Sequence, residues 1–478
     1  MTASSPSRRS VALLLFALTI AELSSAFEVS MIYAAMAAFI REFGDAHRVF
    51  WLITAFLLVS AGAAAICGRL GDVYGRSRVM LVVLSLAAVG SLISAVSSTL
   101  EGIILGRAIQ GASAAVLPLC LGLVREHLPA SKVPFGVALM IATASVGGGV
   151  GIVLGGVIID NLTWHWIFYC SALIAGVGVL LVWLNVPRSR GKGWGGKVDI
   201  VGGLLFVPAI AALLLAISFG SRNGWAQPLT IACAIGGAIV LAAWIVYELR
   251  HPNPLISVRL LMDRRIAVAN VAMGLTAMGA FQIAQVLALL LQQPVWTQVG
   301  LGVSATFAGL VKIPSNVSGL IGAPLSGAIA ARRNARTALL LGSAVLALGW
   351  LAITFNHHEV WVIAALAIVI GVGTAMTYAA IPNLIIEGAP ASRTSESIGL
   401  SAVIRGAFQA IGAQLVALSL ASSTISQAAN AKVSYPSQEA FTLTFGWITA
   451  CCILCMIVAL AVPQSRRDPQ SREAVAQP

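Results

Sequence analysis

Fourteen long apolar runs dominate this 478-residue chain and leave little sequence for a water-soluble core. A helix rises about 1.5 Å per residue, so about 20 apolar residues cross the hydrocarbon core of a bilayer. The runs are continuously apolar, which favours helices over the alternating strands of a membrane barrel. The predicted membrane helices cover residues 11–38, 50–67, 79–98, 102–124, 135–159, 166–186, 200–219, 228–247, 266–291, 302–330, 337–355, 360–385, 397–421 and 440–463. We therefore expect an all-α transmembrane protein.

Charged residues make up only 10% of the chain, yet their net charge is +12. With fourteen crossings and a cytoplasmic N-terminus, 22 of the 29 Lys and Arg residues fall on the cytoplasmic side. Cytoplasmic loops of membrane proteins carry such an excess of basic residues, and anionic lipids are sufficient partners for them. The basic balance thus predicts two cytoplasmic termini and a lipid bilayer as partner, and it excludes nucleic acid.

Two basic linkers divide the runs into groups of six, two and six. The predicted units are an N-terminal six-helix bundle (1–190), a linker with two additional helices (191–265), a C-terminal six-helix bundle (266–463) and a cytoplasmic tail (464–478). Segment 327–336 places a glycine before a basic turn in the second bundle, at the position that segment 68–78 holds in the first. Weak internal symmetry of this kind is typical of transporters built from repeats.

The most specific motif is the charged, glycine-rich segment 68–78 between the second and third runs. Its kernel is Gly68, Asp72, Gly75, Arg76 and Arg78. Asp72 can cap the start of a helix and pair with the arginines that follow it. The segment resembles the loop between helices two and three of major facilitator superfamily transporters, and the six-two-six arrangement resembles their fourteen-helix drug:proton antiporter branch.

This resemblance implies two six-helix bundles that rock around a central cavity, and proton-coupled export of small organic compounds. It also implies a multi-pass protein of the inner (cytoplasmic) membrane, in which segment 68–78 forms a cytoplasmic gate. We expect a monomer that binds a small-molecule substrate and protons and has no cofactor, no metal site and no enzymatic activity. The sequence contains no His, Asp and Ser constellation and no nucleotide-binding loop that would support a membrane enzyme.

Two acids lie in the first run, and one of them matches the acidic position of the first-helix signature of this family. Glu28 is the matching residue, and Glu22 lies six residues earlier, about 120° away around the helix. Glu28 is the candidate proton-coupling acid, and a structural acid paired with a neighbouring helix is the alternative. For Glu22 two interpretations stay open: a second coupling or cation-binding group, or an acid that reaches a cytoplasmic vestibule.

Arg107 and Gln110 belong to a segment that resembles the fourth-helix motif of the family, and they share one helix face. A guanidinium keeps its proton, so it needs an anion or water inside the membrane. Glu28 is its simplest partner, so protonation of the acid would change an ion pair. A static buried salt bridge is the alternative.

Four glycines in the fifth run, at spacings near four residues, resemble the fifth-helix signature of exporters in this superfamily. They are Gly147, Gly151, Gly155 and Gly156. Small residues at this spacing let two helices approach closely, so helix packing alone also explains them.

Two basic residues lie inside runs of the second half. They are Lys312 and Arg405, each with a polar neighbour four residues later, Asn316 and Gln409. A charge at the bilayer centre costs about 2.5–3.5 kcal/mol, so both must face a partner or a wet cavity. We expect a substrate or gating role, with Gln282 and Gln285 lining the same cavity. Pairing with Glu22 and Glu28 across the halves is the structural alternative.

Two other functions remain open at this stage. The cations of the second half would also suit a transporter that imports or exports an anionic or zwitterionic metabolite. A membrane protein that transports nothing is a more remote possibility.

Overall fold

The computed structural model describes residues 8–44, 46–188, 200–251, 258–388, 394–426 and 434–462. The principal helices are α1 (Arg8–Phe43), α2 (Ala46–Val49), α3 (Trp51–Tyr74), α4 (Arg76–Val96), α5 (Leu100–Gln110), α6 (Val116–His127), α7 (Val133–Asn161), α8 (His165–Asn185), α9 (Ile200–Asn223), α10 (Pro228–Arg250), α11 (Arg264–Met278), α12 (Ile283–Gln292), α13 (Ala305–Val317), α14 (Gly319–Arg332), α15 (Ala335–Phe355), α16 (Val360–Gly388), α17 (Thr394–Ala421) and α18 (Gln438–Leu460). A pair of two-residue antiparallel strands, β1 (Thr424–Ile425) and β2 (Tyr435–Pro436), joins the last two helices.

The described part of the chain holds twelve helical spans that are long and apolar enough to cross a membrane. Neither α9 nor the pair α13 and α14 is among them, although both correspond to predicted runs. The predicted tail at 464–478 and the start of the predicted linker at 191–199 lie outside the described residues.

Three predicted runs consist of two helices each. A short 3-10 turn at Gly111–Ala115 separates α5 from α6, another at Ala280–Gln282 separates α11 from α12, and Ser318 separates α13 from α14. At the first break, a side chain on Gly111 would lie 2.6 Å from the carbonyl oxygen of Phe56, so the irregular backbone lies directly against α3. Continuous apolar sequence thus hides backbone breaks that lie inside the protein.

Segment 68–78 is not the loop that its composition predicts. Helix α3 continues to Tyr74 and α4 begins at Arg76, so only Gly75 leaves the helical conformation. Gly75 has a φ of 100°, which a residue without a Cβ adopts readily. The expectation that Asp72 caps the start of a helix is wrong, because Asp72 lies in the last turn of α3.

Helix α7 packs between α1 and α13 through its glycines. A Cβ added to Gly147 would meet Ala26, and one added to Gly151 would meet Ser30. A Cβ added to Gly155 would lie 3.0 Å from the carbonyl oxygen of Met31. All three neighbours are residues of α1. Gly156 faces the other way, where a Cβ would lie 2.5 Å from the backbone nitrogen of Thr306 on α13. The four glycines therefore let α7 pack closely on α1, within the first half, and on α13, in the second half.

A second contact joins the halves, and the two additional helices lie beside it. Helix α3 packs on α17, where a Cβ on Gly406 would lie 2.6 Å from that of Ala61. Helices α9 and α10 pack on each other, and α9 packs on α3, where the Trp51 indole donates to the Ser218 hydroxyl at 3.2 Å. The additional pair thus lies beside the interface of the halves.

We expect Gly156→Ala to destabilise the protein, because the new Cβ overlaps α13 backbone that cannot rotate away. Overpacking of this kind costs about 1–3 kcal/mol. The measurement is the melting temperature of the purified protein in detergent. Gly176→Ala is the matched control, since a Cβ on Gly176 of α8 meets no atom within 4 Å. Equal melting temperatures for the two variants would contradict the packing described for α7.

Candidate functional site

Glu28 lies at the centre of the first half, fully buried on α1. Its Oε1 accepts hydrogen bonds from the Ser91 hydroxyl of α4 at 3.4 Å and the Ser171 hydroxyl of α8 at 3.3 Å. Its Oε2 is buried, and among the residues that the structure describes no hydrogen bond to it meets the usual geometric limits. An ionised carboxyl in this position has fewer donors than an anion needs away from water.

Arg107 lies next to Glu28 but does not pair with its carboxylate. The guanidinium donates to the main-chain carbonyl of Glu28 at 2.9 Å and to that of Leu52 at 3.1 Å, and it stacks over the Phe56 ring at 4.3 Å. These carbonyls and the ring accommodate a buried cation without a counter-ion. The predicted proximity is present, whereas the direct ion pair is not formed in this conformation.

Gln110 connects Arg107 to Ser91, a neighbour of Glu28, through hydrogen bonds. Arg107 donates to its Oε1 at 3.0 Å, and its Nε2 donates to the Ser91 hydroxyl at 2.5 Å. The single Ser91 hydroxyl proton has two acceptors within reach, the Glu28 Oε1 at 3.4 Å and the Ala87 carbonyl at 2.8 Å. A change of charge on Glu28 can therefore reach α1, α4 and α5 through direct hydrogen bonds.

Glu22 is buried as well, at 3% exposure, and its Oε2 has no hydrogen-bond partner. It lies one turn before Ser25, whose hydroxyl donates to the Ser113 carbonyl at 2.8 Å. No hydrogen bond joins it to Glu28 among the residues that the structure describes, and both interpretations of Glu22 stay open.

A cavity of about 370 Å³ lies between the two halves. Helices α1 and α7 line it from the first half, and α12, α13, α16 and α17 line it from the second. The polar and aromatic side chains in its wall include Tyr33, Phe281, Lys312, Asn316, Tyr378 and Gln409. The volume is within the range of about 300–1,000 Å³ that small-molecule sites occupy.

The sequence-predicted residues of the second half divide into two groups. Lys312, Asn316 and Gln409 line the cavity, and the Arg405 guanidinium lies 5.9 Å from the ring centroid of Tyr378, which also lines it. Gln282 and Gln285 are buried and donate instead to the main-chain carbonyls of Gln409 at 3.1 Å and Ala413 at 3.2 Å. These two glutamines attach the break between α11 and α12 to α17.

The residues of segment 68–78 bind within the first half. Asp72 accepts a hydrogen bond from Arg76 at 2.5 Å, and Arg76 also reaches Glu126 at 3.6 Å. Arg78 is exposed, and Gly68 faces open space. This end of α3 and α4 therefore makes its described contacts with α6.

Asp160, at the end of α7, makes a contact between the halves that the sequence analysis did not single out. Its carboxylate accepts from the backbone nitrogens of Ala305 at 3.0 Å and Thr306 at 2.8 Å, and from the Thr306 hydroxyl at 2.5 Å. The first half thus supplies a negative charge to the start of a helix of the second half. The sequence signals for this contact are a carboxylate at the end of the fifth run and a Ser-Ala-Thr segment near the start of the tenth.

Beside this contact the halves pack tightly. Between Lys312 and Asp160, apolar residues such as Ile152, Leu287 and Ala308 leave a void of only about 10 Å³. Beside Lys312, α7, α12 and α13 therefore leave almost no free space.

Solved transporters share this architecture. The chain has a TM-score of 0.66 to a crystal structure of the peptide transporter POT in complex with sulfate, with 18% identity over 94% of each chain. The TM-score is 0.62 to the partially occluded inward-open xylose transporter XylE from E. coli, with 11% identity over 96% of this chain and 99% of that one.

Curated relatives are more similar in sequence. Multidrug resistance protein 3 of Bacillus subtilis is 25% identical over 75% of this chain and 70% of its own length. Multidrug export protein EmrB of Haemophilus influenzae is 27% identical over 76% of this chain and 71% of its own. The sequence model of the Major Facilitator Superfamily matches residues 18–413 of this chain. The resemblance seen in segment 68–78 is thereby confirmed, and the chain belongs to the major facilitator superfamily of multi-pass membrane transporters.

Proposed function

We propose that this protein exports small organic compounds in exchange for protons by alternating access. The observation that carries the proposal is the buried Glu28 carboxyl, held by hydroxyls in a ring with Arg107 and Gln110 beside a central cavity. The names of two relatives, a multidrug resistance protein and a multidrug export protein, support the direction of transport. Import of the same solutes is the competing direction.

Protonation of Glu28 at its Oε2 removes an anion that the site solvates poorly. Loss of that proton attracts the Arg107 guanidinium from the main-chain carbonyl toward the carboxylate. Arg107 then releases its contacts with α1 and with Leu52 of α3. One proton thus biases the relative positions of helices in the first half, which is the differential interaction that a conformational shift requires.

The chain crosses the inner membrane fourteen times in this proposal, with both termini in the cytoplasm. Helix α9 and the pair α13 and α14 provide the two crossings beyond the twelve apolar spans. The division into residues 1–190, 191–265 and 266–463 follows from that count. Asp160 then faces outward, the cavity opens toward the cytoplasm, and the conformation is inward-facing.

The cytoplasmic gate is segment 68–78. In the inward-facing state Asp72 and Arg76 bind each other and Arg76 reaches Glu126 of α6. When the cytoplasmic side closes, the halves approach at this end, and the space beside Gly68 accommodates the approach. Asp72, Arg76 and Arg78 then exchange their contacts within the first half for contacts with the second.

We expect Glu28→Gln to abolish solute-driven proton flux, since an amide has nearly the size of the acid and keeps one oxygen for the Ser91 and Ser171 hydroxyls but does not ionise. The assay is proteoliposomes that contain the pH dye pyranine, to which naphthalenesulfonate or naphthyltrimethylammonium is added. Glu101→Gln is the control, because this exposed acid pairs with Arg48 at the protein surface. Full proton flux in the Glu28→Gln variant would refute the coupling role.

We expect Asp160→Ala to favour the outward-open state, because the carboxylate joins the halves only when the outer side is closed. A charge at a helix start contributes about 0.3–1 kcal/mol, so the closed population should fall about two- to fivefold relative to the open one. Spin labels at the exposed positions Leu162 and Glu359 would report the distance across the outer side in a cysteine-free background.

Asn161→Ala is the matched control for this experiment. Asn161 is the next residue of α7, and within the described part of the chain its side chain bonds only to the Val157 carbonyl of its own helix, at 2.8 Å. An unchanged distance distribution in Asp160→Ala, or an equal change in Asn161→Ala, would exclude the outer gate.

A further inference from the structure

The wall of the central cavity carries charge of one sign. Lys312 contributes a basic amine to this wall, and none of the described residues that line the cavity has a carboxylate. The first-half acids Glu22 and Glu28 are buried within their own bundle and do not line it. A solute in the cavity therefore meets a positive potential that the wall does not neutralise.

The ammonium group of Lys312 is held by neutral partners. Its Nζ donates to the Ser315 hydroxyl and to the Asn316 Oδ1, both at 3.2 Å, and both acceptors are on its own helix. Lysine has three donors, so one N–H remains beyond these two bonds. The residue is 8% exposed, and no carboxylate of the described residues pairs with it, so a charge here is costly unless a ligand supplies the counter-ion.

An aromatic surface forms another part of the same wall. Phe281 and Tyr378 pack edge to face with ring centroids 5.8 Å apart, and the Arg405 guanidinium lies 5.9 Å from the Tyr378 ring centroid. Tyr33 of α1 contributes a third ring from the first half. Such rings provide large apolar contact area for a flat organic group.

We propose that the central cavity binds amphipathic organic anions, with the acidic group on the Lys312 ammonium and the apolar part against Phe281 and Tyr378. This inference rests on the proposed transport function, and it specifies the class of substrate that the cavity binds. At about 370 Å³ the cavity holds one drug-sized molecule. A cation of equal size meets the same rings without a carboxylate to pair with.

The test compares two probes with the same aromatic frame and opposite charge, naphthalenesulfonate and naphthyltrimethylammonium. Binding to the full-length protein in nanodiscs is measured calorimetrically at one pH and without a gradient. We expect the anion to bind at least about tenfold more tightly than the cation. Lys312→Met should remove this preference by weakening the anion about tenfold, and Lys312→Arg should restore it.

Two further variants separate a binding role from a structural one. Gly148 lines the cavity and a Cβ there meets no atom within 4 Å, so Gly148→Leu should fill the site and weaken the anion. Gly176→Leu, in which the new side chain lies outside the cavity, should not. Lys312→Met should keep or raise the melting temperature, since it removes an uncompensated charge.

Several results would overturn the proposal. They are no anion binding, cation binding as tight as anion binding, an equal loss of both probes in Lys312→Met together with a lower melting temperature, or no effect of Gly148→Leu. These readouts do not depend on a proton gradient. Full proton flux in Glu28→Gln together with an intact charge preference would refute the coupling role and leave the binding site valid. Lost proton flux in Glu28→Gln together with no charge preference would refute the binding site and leave the coupling role valid.

Discussion

The close approach of α7 to two helices is the constraint on which the rest of the structure depends. Glycines on one face let α7 meet α1, and Gly156 lets the same helix meet the start of α13. Helix α7 packs on one side of α1, and the Glu28 carboxyl of α1 contacts α4 and α8. The surroundings of Glu28 and the contact between the halves therefore depend on the same helix.

The protein accommodates buried cations in two different ways. Arg107 is surrounded by main-chain carbonyls, a glutamine oxygen and an aromatic ring, which leaves its charge well solvated inside the first half. Lys312 has a hydroxyl and an amide oxygen from its own helix and borders the cavity. The first arrangement is complete without a ligand, and the second leaves a donor for a solute.

Helix α13 connects the outer contact to the cavity. Its first residues hold the Asp160 carboxylate, and Lys312 follows about 10 Å further along the helix axis. Movement of α13 away from α7 would break the outer contact and displace Lys312 together, because a helix moves largely as one body. In our proposal, substrate binding and outer opening are thereby linked through one element.

The sequence by itself identified the family and the runs that form the twelve membrane-length spans of the described residues, because hydropathy and the spacing in segment 68–78 are local properties. It also named Glu28 as the simplest partner of Arg107. Only the tertiary structure decided how each helix is rotated, so that Gln409 faces the cavity while Gln282 binds the backbone of α17. Contacts such as that of Asp160 with Thr306 join residues 146 positions apart and depend on how the halves dock, which no local pattern encodes.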